Sequence, residues 1–96
     1  MMRLLLLCLA LAATPALAAA PHYRAEPAAG QDGGKFVLKG TLWHCDRQAC
    51  VGGKGGSRPE IACALLVRKV GPLRGFSIAG AALAADKLEK CNAEAR

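Results

Sequence analysis

The sequence predicts a small disulfide-stapled α+β domain, β-β-α-β-α in chain order, with an antiparallel sheet carrying two helices on one face. Three observations point there. Residues 35–45, "KFVLKGTLWHC", alternate β-branched and aromatic residues as strands do. Residues 57–72, "SRPEIACALLVRKVGP", combine helix start and stop signals with an apolar period. Four of the five cysteines follow an apolar leader, in a chain of only 96 residues.

The leader, "MMRLLLLCLALAATPALAAA", has the organisation of a secretory signal peptide over residues 1–20. Arg3 supplies its charge and Leu4 to Ala13 its apolar run, which is shorter than the ~20 residues of a spanning helix. Small-x-small patterns place cleavage near Ala18 or Ala20, and Cys8 leaves with the leader. The expected location is periplasmic or secreted, with no transmembrane segment after cleavage; an uncleaved anchor is the alternative. Residues 21–34, rich in Pro, Ala and Gly, read as a disordered tether. The folded domain is then expected over residues 35–93.

Within that domain, residues 35–45 are interrupted by Gly40, which implies a bulge or a turn, and "ACV" (49–51) adds a short second strand. The first helix is predicted over residues 57–72. Ser57 and Glu60 have capping-box spacing, Pro59 suits the first turn, Gly71 suits a left-handed C′ position and Pro72 stops the helix. "LRGFSIAGAA" (73–82) places Phe76 and Ile78 at strand spacing with Gly80 in a turn, and residues 82–96 read as a second helix.

Export and small size together predict two disulfides among Cys45, Cys50, Cys63 and Cys91. Cys63 shares a helical stripe with Leu66, Val67 and Val70, and Cys91 one with Ala84 and Leu88, so Cys63–Cys91 would join the helices. Cys45 and Cys50 flank a short loop and would close a hairpin; the crossed pairings remain alternatives. A metal site built on His44 and these cysteines is a remote alternative, because the 45–50 spacing has no matching second pair. Thiol redox catalysis is another, weakened by the lack of a C-x-x-C motif. His44 has no evident nucleophile beside it and reads as a surface strand residue. No catalytic residue, metal or cofactor is expected.

Beyond the leader, counted from Ala19, twelve basic residues stand against seven acidic ones, a formal charge of +5. That favours an anionic envelope surface or an envelope protein as partner. Nucleic acid is not expected, since Tyr23, Phe36, Trp43 and Phe76 are too few to form a stacking platform. Lys54, Arg58, Arg68 and Lys69 are the candidate anion or partner contacts. The glycine-rich "GGKGG" (52–56) lacks the Ser or Thr that a phosphate loop places after its lysine, so it reads as a flexible link into the helix. Ile61 and Leu65 form a second apolar pair on that helix, expected to pack under the sheet while the Cys63/Leu66/Val70 stripe meets the second helix. The alternative is an exposed apolar patch rimmed by Arg58, Arg68 and Lys69.

The pattern Leu42-Trp43-x-Cys45, Cys50, Ser57-Arg58-Pro59-x-Ile61-x-Cys63, Gly71, Phe76 and Cys91-Asn92 resembles a family of small exported bacterial proteins, a domain of unknown function. The resemblance runs from about Thr41 to Asn92 and implies no activity. The expected function is a non-enzymatic, envelope-associated binding module with a basic surface. A soluble protein-binding or inhibitor domain is the alternative.

Overall fold

The computed structural model describes residues 21–30 and 33–95. The expected signal peptide, including Cys8, lies outside the described residues. The elements are β1 (Tyr23–Pro27), β2 (Gly34–Leu38), β3 (Thr41–Cys45), β4 (Cys50–Gly52), α1 (Pro59–Val70), β5 (Leu73–Ile78), β6 (Ala81–Ala82) and α2 (Ala85–Asn92). They form one six-stranded antiparallel sheet in the order β2-β3-β4-β1-β5-β6, with two helices. The α+β class holds, but the strand inventory is richer than the predicted β-β-α-β-α.

The largest correction concerns the tether. Residues 23–27 are an interior strand, hydrogen-bonded to β4 on one side and β5 on the other. Tyr23, Ala25 and Pro27 are buried while Arg24 and Glu26 are exposed, so the strand has the period of a half-buried sheet. Pro27 is tolerated because it ends the strand where the β5 pairing shifts register, and no ladder donor is needed there. The domain therefore begins near Tyr23 rather than at residue 35.

Gly40 marks a turn, not a bulge: Lys39 (φ 45°) and Gly40 (φ 82°) join β2 to β3 in a two-residue hairpin. Ala79 (φ 49°) and Gly80 (φ 85°) join β5 to β6 in the same way, which shortens the second helix to Ala85–Asn92. The first helix starts at Pro59 with Arg58 as N-cap, and no side chain caps it. The expected capping box is not formed, because Pro59 sets the first turn one residue later than Ser57 requires. Gly71 ends α1 with φ 87° and ψ −174°, a conformation essentially restricted to glycine, and its N–H donates to the Val67 carbonyl at 2.9 Å.

The core lies on one face of the sheet. Tyr23, Trp43 and Phe76, from β1, β3 and β5, form an aromatic cluster with ring centroids 5.5–6.4 Å apart. Ala62, Cys63, Leu66 and Val67 of α1 are buried in the same cluster. Ile61 and Leu65 are only half-buried and lie outside the core cluster, which corrects the expectation that they pack under the sheet, while the Cys63 stripe does meet the second helix. With only twelve residues, α1 turns its Cys63/Leu66 side to both the sheet and α2. Asn92 fastens the end of α2 to β5: its side chain accepts from Leu73 N–H at 2.8 Å and donates to Leu73 C=O at 2.9 Å. That imitates a neighbouring strand.

Candidate functional site

Both expected disulfides are formed. Cys45 and Cys50 face each other across the β3–β4 hairpin, with Cα atoms 4.0 Å apart. Cys63 and Cys91 join α1 to α2, with Cα atoms 5.9 Å apart. The loop inside the first disulfide is tied by Asp46, whose Oδ1 accepts from Gln48 N–H at 2.7 Å and Ala49 N–H at 2.8 Å. These backbone donors, followed by the nearby Arg24 and His44, hold the Asp46 carboxyl below its usual range. With all four described cysteines oxidised, no thiolate is presented to a metal or a substrate. Among the described residues, no group of three or more His, Cys, Asp or Glu side chains is placed to hold a metal ion.

The glycine link has packing reasons that the sequence does not display. A Cβ on Gly52 would come within 2.8 Å of the buried Trp43 ring, and one on Gly55 would collide with Thr41 Oγ1. Both glycines thus let the chain cross closely over β3. Glu60, at the start of α1, is held below the usual carboxylate range by a hydrogen bond from its own amide, then by Lys87, whose Nζ lies 3.1 Å from Oε1. A carboxylate engaged in this way disfavours a second anion at that helix end.

The four candidate contact residues fall into different settings. Arg68 is committed to Glu94, with a nitrogen–oxygen distance of 2.6 Å. Lys69 sits over the Phe36 ring of β2, with Nζ 5.5 Å from its centroid. Lys54 is exposed beside Gly55, which packs against Thr41 and Gly40 at the β2–β3 turn. Arg58 is exposed at the N-cap of α1. Lys69 therefore meets the β2–β3 hairpin from the helix-covered side of the sheet, through Phe36, while Arg68 belongs to the α1–α2 side.

Opposite the helices, the sheet presents an open face. One row runs across it through Lys35, His44, Val51, Arg24, Ser77 and Ala82, following the strand registers. His44 is an exposed strand residue in this row. Beside it lie Val37 and Leu42, paired across β2 and β3 and 63% and 58% exposed. The sequence shows that both alternate with core residues, yet it does not reveal which side of an all-apolar "FVL" faces water.

Two surface clefts lie among the described residues. One of about 200 Å³ lies between the helices, lined by Glu60, Ala64, Lys87, Lys90, Cys91 and Glu94. The other, of about 170 Å³, lies on the open face against Arg24, Glu26, Gly75 and Ser77. Both are smaller than the ~300 Å³ at which small-molecule sites usually begin.

The fold and its cysteines define a small disulfide-stapled α+β domain. A family model covers residues 7–93, and the chain belongs to that family, the Family of unknown function (DUF8200). No curated protein and no solved structure matches the chain.

Proposed function

We propose that this protein is an exported, non-enzymatic module that binds the anionic surface of the cell envelope. The observation that carries the reading is the pair of disulfides closing a very small domain that bears an excess of basic residues. Disulfides in so small a core fit an oxidising compartment, where such staples persist. The apolar leader supports export. Commitment of the cysteines to disulfides, and the small size of both clefts, support binding over catalysis. No helix among the described residues is long and apolar enough to cross a membrane.

Co-sedimentation with phosphatidylglycerol vesicles tests this reading. Association that weakens with added salt and is absent from phosphatidylcholine vesicles is expected. No association, or association indifferent to salt, overturns it.

A further inference from the structure

We propose that the β2–β3 hairpin is the element that docks on an anionic bilayer, with Val37 and Leu42 entering the lipid interface and Lys35 and Lys39 meeting the phosphates. This rests on the envelope-binding reading and assigns it a surface. Val37 and Leu42 are the exposed large hydrophobic side chains among the described residues, and they are direct cross-strand partners. Lys35 is the adjacent open-face residue on β2, and Lys39 stands at the exposed turn.

Charge complementarity selects the occupant. Residues 33–45 contain no Asp or Glu, so Lys35 and Lys39 are the charged side chains of the hairpin. Glu60 and Glu94 are engaged on the helix side, Asp46 is engaged by the amides of its own loop, and the open-face Glu26 stands on β1, two strands away from β3. A second copy of the chain would bring the same lysines face to face across a two-fold axis. Two apolar side chains also fall far short of the ~800 Å² per partner of a stable protein interface. A lipid surface requires no shape complementarity and rewards an apolar pair with lysines beside it. Neither Val37 nor Leu42 lines either cleft, so the pair is placed for a surface and not for an enclosed ligand. The turn holds Lys39 at φ 45°, where Asn or Gly would sit with less backbone strain.

The test compares partition of the full, disulfide-bonded protein onto phosphatidylglycerol vesicles with that of three variants. V37S/L42S should lose at least tenfold in the partition constant. K35Q/K39Q should lose about fivefold per lysine and show a shallower salt dependence. K87Q/K90Q, altered on α2, should change less than either. All sites are exposed or partly exposed, and far-UV circular dichroism confirms the fold of each variant. If the unaltered protein binds, both hairpin variants bind equally well and the α2 variant loses binding, the hairpin assignment falls while envelope binding stands. If the unaltered protein does not bind anionic vesicles, both fall.

Discussion

Gly52 shows how a single residue can look functional in a sequence and prove to be packing. It belongs to a lysine-centred glycine run before a helix, which invites comparison with an anion cradle. In the fold its missing Cβ makes room for the Trp43 ring, which is fully buried at the centre of the core. Gly52→Ala should therefore destabilise the domain by about 1–3 kcal/mol, the usual cost of overpacking, measurable by urea unfolding. Gly53 has open space where a Cβ would go, so Gly53→Ala should cost much less. Equal effects would refute the packing explanation. Ionisable residues make a second prediction. Asp46 and Glu60 have lowered folded values, so their contribution is present above the unfolded values of 3.8 and 4.5 and is lost as pH falls through the lowered ones. Tyr23 is raised above 10.0, first by burial and then by Glu60, so its contribution is lost as pH rises above that value. Thermal unfolding should show a plateau between these limits. Asp46→Asn keeps an acceptor for the loop amides and should flatten the acid limb.

Among elements, α1 is the most legible from sequence, because apolar period, Pro59 and Gly71 agree on it. Its cap is the part that fails. The spacing of Ser57 and Glu60 is a local signal, whereas Pro59 at the first helical position shifts the start, and Glu60 turns to its own amide and Lys87. β1 is missed for the opposite reason: its five residues do alternate, but Ala25 and Pro27 are weak strand formers, and only pairing with β4 and β5 makes the strand. The disulfides were legible because each cysteine sits where its element turns it, on a helical stripe or at a hairpin end. The chain-entropy model orders their contributions. Replacing Cys63 and Cys91 by Ala should cost about 3.5 kcal/mol, and replacing Cys45 and Cys50 about 2 kcal/mol, because the first bond closes the longer loop. Denaturant unfolding of the two double variants checks the order, and a reversed order would contradict it.

For the whole molecule, the class of fold follows from the small size, the cysteines and one clear helix, and these are properties a sequence displays openly. Sidedness does not. Val37, Leu42 and the open-face row become a surface only when both helices cover the other side of the sheet. The dispersed basic residues likewise acquire an arrangement only in the fold, where Lys69 crosses to Phe36 while Arg68 is taken by Glu94. The central claim is that the chain is exported and works as a disulfide-stapled module. Intact mass of the protein recovered from cells, with alkylation before and after reduction, tests that claim most directly. The account predicts a mass lacking about the first 18–20 residues, in keeping with signal-peptide cleavage, no alkylation without reduction and four alkylated thiols after it. A full-length mass with freely alkylated cysteines would contradict it.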